Sequence, residues 1–233
     1  MTKERVDVLA YNQGLFDTRE QAKRGVMAGI VINALNGERF DKPGEKISDD
    51  LELMIKGEKL PFVSRGGLKL ARALQAFDIS VLDQTAIDIG SSTGGFTDVM
   101  LQNGAKLVYA VDVGTNQLAW KIRQDDRVVV MEQFNFRYAK PEDFSHDLPT
   151  FASIDVSFIS LALILPALYN ILLEGGQVVA LIKPQFEAGR EQIGKNGIIK
   201  DAKIHQAVIE AVVNMANGLG FSTLGLTSSP IKG

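Results

Sequence analysis

The chain has 233 residues, 45% of them hydrophobic and 23% charged, an ordinary globular balance that excludes a disordered or low-complexity chain. It contains no cysteine, which excludes disulfides and thiolate metal sites, and its net charge of −3 gives no overall attraction for nucleic acid. The start at Met1 is charged rather than apolar, and the most apolar stretch, Phe158–Leu173, is interrupted by Ser160, Pro166 and Asn170 and falls short of the ~20 residues of a spanning helix. A soluble, cytoplasmic protein without membrane association is expected.

In chain order, a helix is predicted over Val6–Asn12, ended by Gly14, and Asp17 or Thr18 can cap a second helix through Met27. Gly29 opens an extended piece, Ile30-Val31-Ile32; Asn36-Gly37 and Lys42-Pro43-Gly44 are turn signals, and a short strand over Leu51–Ile55 ends at Lys56-Gly57. Residues 1–59 therefore read as a small α+β domain, with residues 60–63 as a linker. Residues 1–60 hold ten Lys/Arg and eleven Asp/Glu, so any phosphate contact there must come from local clustering of cations.

From residue 64 to 233 the pattern alternates. A helix over Leu68–Phe77 is followed by strands near 85–89, 107–111, 128–131, 152–156, 178–182 and 222–226, with helices near 97–103, 115–122, 160–173 and 201–217. Short apolar strands alternating with helices imply an α/β fold, a Rossmann-like parallel sheet covered on both faces.

The first strand of that sheet runs into Asp88-Ile89-Gly90-Ser91-Ser92-Thr93-Gly94-Gly95-Phe96, where a doubly wound sheet binds its ligand. The spacing is not the dinucleotide G-x-G-x-x-G, and Phe96 stands where a phosphate-binding loop would carry lysine. What remains resembles the D-x-G-x-x-x-G-G loop that holds S-adenosylmethionine in methyltransferases. Asp112 ends the second strand, where a carboxylate suits ribose hydroxyls.

Asp155 ends the fourth strand and Lys183 the fifth, with Pro184 closing the latter; Lys69, with Arg65 and Arg72, lies on the helix entering the domain. An incidental salt bridge at a sheet edge and a solvated helix face are the bland alternatives for these groups. Methyl transfer to a ribose hydroxyl requires removal of its proton, and two amines with a carboxylate around one hydroxyl suit that task. The two histidines, His146 and His205, are far apart and suggest no metal site.

Ser64-Arg65-Gly66-Gly67-Leu68-Lys69-Leu70, the loop from Gly90, VDVGTNQLAW from Val111, DVSFIS from Asp155 and IKPQFEAGR from Ile182 together resemble the TlyA family. These are ribosomal-RNA 2′-O-methyltransferases, also labelled haemolysin A, related to the FtsJ/RrmJ methyltransferases. Arg5-Val6-Asp7, Thr18–Ala22 and Gly29–Asn33 resemble the small RNA-binding domain of ribosomal protein S-four. The resemblance implies a catalytic set of Lys69, Asp155 and Lys183. It implies a cofactor site of Asp88, Gly90, Ser91, Ser92, Thr93, Gly94, Gly95, Phe96 and Asp112, with Asn135 near the adenine. Phosphate contacts fall on Arg5, Arg19, Lys23 and Arg24, with Arg65 and Arg72 as further candidates, and the implied partner is ribosomal RNA or a ribosomal subunit, methylated on a cytidine ribose.

Family members continue past the stretch equivalent to Ser229-Pro230-Ile231 into a strand carrying a fourth catalytic glutamate, so a chain ending at Gly233 is expected to be truncated and weak in both cofactor binding and transfer. The competing readings are an RNA-binding protein of the same fold that no longer catalyses, and a cytolysin.

Overall fold

A computed structural model of the chain describes residues 3–57, 61–189, 199 and 201–231. The chain divides into two compact units, Met1–Pro61 with Ser228–Gly233, and Phe62–Thr227.

In the smaller unit β1 (Lys3–Arg5) leads into α1 (Val6–Asn12), and α2 (Arg19–Met27) follows. Thr18 starts α2 with a reciprocal cap: its hydroxyl accepts the Gln21 N–H at 3.2 Å, and the Gln21 side chain accepts the Thr18 N–H at 3.2 Å. Then come β2 (Val31–Asn33), β3 (Arg39–Phe40), β4 (Lys46–Ser48) and β5 (Leu53–Ile55). β2 pairs antiparallel with β3 and β5, and β4 pairs antiparallel with β1. The β2–β3 turn is shaped by Asn33, whose side-chain oxygen accepts the Leu35 N–H at 2.8 Å, and by Gly37 at φ +73°. Val6, Leu9, Ala22, Val26, Val31, Phe40 and Leu53 fill the core between helices and strands.

The larger unit begins with α3 (Gly67–Ala76) and continues β6 (Thr85–Ile89), α4 (Gly95–Gln102), β7 (Leu107–Val111), α5 (Trp120–Arg123), β8 (Val128–Met131), β9 (Phe151–Ile154), α6 (Leu165–Ile171), β10 (Gln177–Ala180), α7 (Pro184–Glu187) and α8 (Ala202–Gly218). Its five strands form one sheet in the order β10-β9-β6-β7-β8, every neighbouring pair parallel. Consecutive strand residues point to opposite faces. Ile87 and Tyr109 accordingly pack with Ile154, Leu165, Leu168 and Val212 on one side, and Ala86 and Val108 with Leu70, Val99, Met100 and Ile122 on the other. Burial on both faces is why the interior strand β7 reads as an unbroken apolar run.

The strand predicted at 222–226 does not form. Leu224 and Leu226 give the segment a strand-like alternation, but they are 81% and 59% exposed, and no strand among the described residues pairs with it. The predicted helix at 115–122 contracts to α5, because Asn116 takes φ +55°. The predicted helix at 160–173 becomes a 3₁₀ turn, Leu161–Leu163, followed by α6, with Pro166 in the first turn of α6 where its missing N–H costs nothing. No helix among the described residues is long and apolar enough to cross a membrane.

The order of the sheet sets the position of the site. After β6 the chain adds β7 and β8 on one side, then crosses over to add β9 and β10 on the other. The crevice at the C-terminal ends of β6 and β9 is the topological switch point, where parallel sheets bind ligands.

Candidate active site

β6 leaves the sheet through Gly90 at φ +87°, and a Cβ there would lie 2.7 Å from the Asp155 carbonyl oxygen, so conformation and space both demand glycine. The N–H groups of Gly90 and Ser91 donate to the Val111 carbonyl at 2.9 and 3.0 Å. Ser92, at φ +46°, donates its N–H to Asp112 Oδ2 at 2.8 Å. The Thr93 carbonyl accepts the Ala119 N–H at 3.0 Å, and Gly94, at φ +95°, closes the loop by donating to the Ser91 carbonyl at 2.7 Å. Gly95 and Phe96, both buried, open α4, whose first N–H groups have no partner within the helix, as at any helix start; that of Thr97 turns down to Asp88. A side chain at Gly95 would strike Ser64 Oγ and the Gly67 nitrogen, so this glycine lets the start of α3 pack on the start of α4.

Asp88 lies beneath this loop rather than in the crevice. It is fully buried; Oδ2 accepts from the Thr97 N–H at 2.9 Å and the Thr97 hydroxyl at 2.7 Å, and Oδ1 accepts from the Ser153 hydroxyl at 3.3 Å. Burial pushes its carboxyl up to about 7, against the pull of the Thr97 bonds and with help from the charge of Asp155. Asp112 caps the other side of the cradle: Oδ1 accepts the Gly114 N–H at 2.8 Å while Oδ2 holds Ser92. Phe134 donates to the Asp112 carbonyl at 3.0 Å, which brings exposed Asn135 beside this strand end; the Asn135 side chain itself accepts the Arg137 N–H at 3.2 Å.

The structure brings the three predicted catalytic groups together. Lys69 Nζ lies 3.0 Å from Asp155 Oδ2, and Lys183 Nζ lies 2.6 Å from Asp155 Oδ1. The Lys183 contact is a close ion pair without hydrogen-bond alignment to Oδ1; its aligned bond goes to Ser157 Oγ at 2.9 Å. The three side chains are 16–19% exposed. Burial works to raise the Asp155 carboxyl, but the two ammonium groups overrule it and hold it below the usual carboxylate range. Asp155 is thus an ionised acceptor flanked by two donors.

Several neighbours of this set have no distinguishing sequence signal. Ser157 is one. Phe158 is 91% exposed at φ +64°, with its ring 5.1 Å from that of Phe186, and Lys183 Nζ stands 5.8 Å above the Phe186 ring. Glu187 bonds Ser160 and Leu161. Phe158, Phe186 and Glu187 all fall within the motifs around Asp155 and Lys183, yet only the fold shows what they touch.

The predicted phosphate contacts divide. In the smaller unit Arg5 Nε and a terminal guanidinium nitrogen grip Asp7 at 2.9 and 3.1 Å, and Arg19 Nε lies 3.5 Å from the same carboxylate. The Asp7 side chain is only 2% exposed, whereas those of Arg5 and Arg19 are 42% and 57% exposed. Burial raises Asp7, and the two arginines more than reverse this. Lys23 and Arg24 are exposed on α2, Arg24 lying 3.7 Å from Glu20. In the larger unit Arg72 is exposed, whereas Arg65 is buried at 5% exposure.

A family model described as FtsJ-like methyltransferase matches residues 62–233. One relative, a candidate rRNA methyltransferase named YqxC from Bacillus subtilis, is 60% identical over 99% of this chain and 82% of its own length. The 16S/23S rRNA (cytidine-2'-O)-methyltransferase TlyA of Mycobacterium tuberculosis is 40% identical over 99% of this chain and 85% of its own. The solved structure of a candidate hemolysin from Streptococcus thermophilus is 72% identical, superposes with a TM-score of 0.83, and spans 100% of this chain and 84% of that one.

Proposed function

The chain belongs to the FtsJ-like methyltransferase family, in its TlyA branch, and we propose that it transfers a methyl group from S-adenosylmethionine to the 2′-oxygen of a cytidine ribose in ribosomal RNA. The observation that carries this reading is Asp155 held between Lys69 and Lys183 on the same sheet edge as the glycine cradle.

The residues fit the cofactor. Gly90 and Gly94 let the loop turn tightly at the sheet edge, α4 starts directly from it, and a carboxylate stands at the next strand end. In this reading Gly90–Phe96 hold the methionine part, Asp112 the ribose hydroxyls and Asn135 the adenine, while Asp88 braces the loop from below. S-adenosylmethionine supplies an electrophilic methyl on a sulfonium.

The chain's own groups handle the hydroxyl. Lys183 already donates to one hydroxyl, that of Ser157, which supports a role in binding the ribose 2′-oxygen at the same amine. A lysine amine that had first given its proton to solvent would accept the hydroxyl proton as the ribose oxygen bonds to the methyl carbon and the carbon–sulfur bond breaks, the sulfur keeping the electron pair. Asp155 fixes both lysines and, kept ionised, stabilises whichever becomes the ammonium.

The partner is ribosomal RNA, free or within a subunit. Residues 1–59 serve as its binding domain, with Arg5, Arg19, Lys23 and Arg24 on phosphates. Exposed Arg72 adds to them; buried Arg65 does not. The test is tritiated-methyl transfer to ribosomal subunits from a strain lacking the modification, followed by nuclease mapping of the label. A ribose-methylated cytidine is expected, and none with Lys69→Ala. Label on a base, or equal labelling by Lys69→Ala, would overturn the reading.

A further inference from the structure

Asp155 and Lys183 leave the sheet on neighbouring strands, and the ladder between those strands runs only as far as Ala180 opposite Ile154, with one further bond from the Leu181 N–H to the Ile154 carbonyl at 2.9 Å. Beyond that bond the two exits part from the sheet, one as the loop 155–161 and the other as α7. One carboxylate ties their far ends together. Glu187 Oε2 accepts the Ser160 hydroxyl at 2.6 Å, and Oε1 accepts the Leu161 N–H at 2.9 Å.

We propose that Glu187 is a positioning residue for the catalytic centre, locking the loop after β9 against α7 and so setting the separation of Asp155 and Lys183. It sits at the last position of the single turn that Lys183 begins. The two exits are therefore joined at both ends, by Lys183 to Asp155 and Ser157 at the near end and by Glu187 to Ser160 and Leu161 at the far end. The Phe158–Phe186 contact lies between. Phe158 holds a left-handed backbone conformation, which a bulky residue keeps only when its surroundings over-determine it; a grip two and three residues downstream provides that restraint. The rival role, merely capping the 3₁₀ turn, is already filled by Ser160 Oγ, which accepts the Ala162 N–H at 3.1 Å.

The inference rests on the methyl-transfer reading, and the test separates the two. Glu187→Ala, Glu187→Gln and Ser160→Ala are made in the whole chain. Single-turnover methyl transfer to unmodified ribosomal subunits, calorimetric S-adenosylmethionine affinity, and the nuclear Overhauser effect between the Phe158 and Phe186 rings are then measured. Glu187→Ala is expected to slow transfer roughly 10- to 100-fold, the scale of an ångström-sized misplacement, with cofactor affinity within twofold and the ring effect lost. Glu187→Gln should recover both to within about threefold, because an amide oxygen still accepts the Leu161 N–H and its NH₂ can donate to Ser160 Oγ. Ser160→Ala should fall between.

Transfer within twofold of wild type in Glu187→Ala, or a ring effect that survives in it, overturns the proposal. So does a Gln variant as poor as Ala, or a loss of transfer matched by an equal loss of cofactor sites. A wild-type chain without transfer defeats the functional reading alone, since the ring effect still judges the clamp.

Discussion

Gly90 offers a quantitative test of how the proposed cofactor loop and Asp155 are coupled. In Gly90→Ala the added methyl faces two separate penalties. Holding alanine at φ +87° costs about 1–2 kcal/mol of backbone strain. The Cβ would also lie 2.7 Å from the Asp155 carbonyl oxygen, so loop and strand exit must separate by roughly half an ångström or more before the contact becomes tolerable. Gly175 isolates the first penalty: it has φ +78° in the turn before β10, and a Cβ there meets nothing within 4 Å. Gly175→Ala should therefore lower the melting temperature by about 2–8 °C, at 2–4 °C per kcal/mol, and leave transfer untouched. Gly90→Ala should lose at least as much stability, and in addition about tenfold or more in both S-adenosylmethionine affinity and the single-turnover rate, because cradle and acid move together. Calorimetric titration, thermal melts and single-turnover transfer on both variants decide the matter. If Gly90→Ala behaves like Gly175→Ala, the close approach of loop and acid has no functional weight and the coupling is wrong.

Asp155→Asn leaves two ammonium groups beside a neutral amide; a loss of about 3 kcal/mol and of 100-fold or more in transfer is expected, with cofactor affinity little changed, and transfer within threefold of wild type would remove Asp155 from the centre. Asp88 gives a pH signature of known sign: its folded carboxyl, pushed up to about 7, keeps its proton between pH 4 and 7 while the unfolded chain has lost it, so stability falls as pH rises through that window, by at most about 4 kcal/mol. Asp88→Asn cannot ionise and should flatten that slope, as urea unfolding at pH 5 and 8 would reveal; identical slopes in both proteins would refute the assignment. Arg5→Ala should weaken binding to ribosomal RNA across sequences and reduce the slope of log affinity against log salt by about 1, and an unchanged slope would take Arg5 off the phosphates.

The parts of this architecture that were legible in the sequence are those with a long-period signal. β6, β7 and β8 have the predicted bounds because each is a short, mainly apolar run followed at once by a glycine or an acid. The Lys69, Asp155 and Lys183 set was legible because each charge interrupts an apolar run at an element end, and one family pattern joined them. By contrast β1, β3 and β4 span two or three residues, too few for alternation to show, and Arg39–Phe40 is a single pair between two turn signals. The segment 222–226 failed in the opposite direction: a pattern of period two exists, but pattern does not supply a ladder partner. Asp88 was legible as a conspicuous acid before a glycine loop, yet whether its carboxylate points up at a ligand or down at Thr97 depends on the turn of one side chain, which spacing does not encode.

The proposed catalytic pair, Asp155 and Lys183, is held unequally, and the inequality explains why one end needs an extra tie. Asp155 follows β9, an interior strand buried at all four positions and paired with both β6 and β10; its N–H donates to the Ile89 carbonyl at 3.0 Å and its carbonyl presses on Gly90. The acid is thus fixed by the same peptide that shapes the cofactor cradle. Lys183 follows β10, half-buried throughout and paired, among the described residues, with β9 alone. An edge strand has half the backbone bonds of an interior one, and its exit has more freedom to drift. The proposed deprotonation needs the amine at hydrogen-bonding distance, about 3 Å, from the hydroxyl, with little tolerance in its position. The Glu187 bonds to Ser160 and Leu161 refer the edge exit back to the loop of the interior strand, so the amine takes its position from the acid rather than from the sheet edge. Damage at Gly90 should therefore disturb cofactor and acid together, whereas damage at Glu187 should disturb the amine and spare the cofactor.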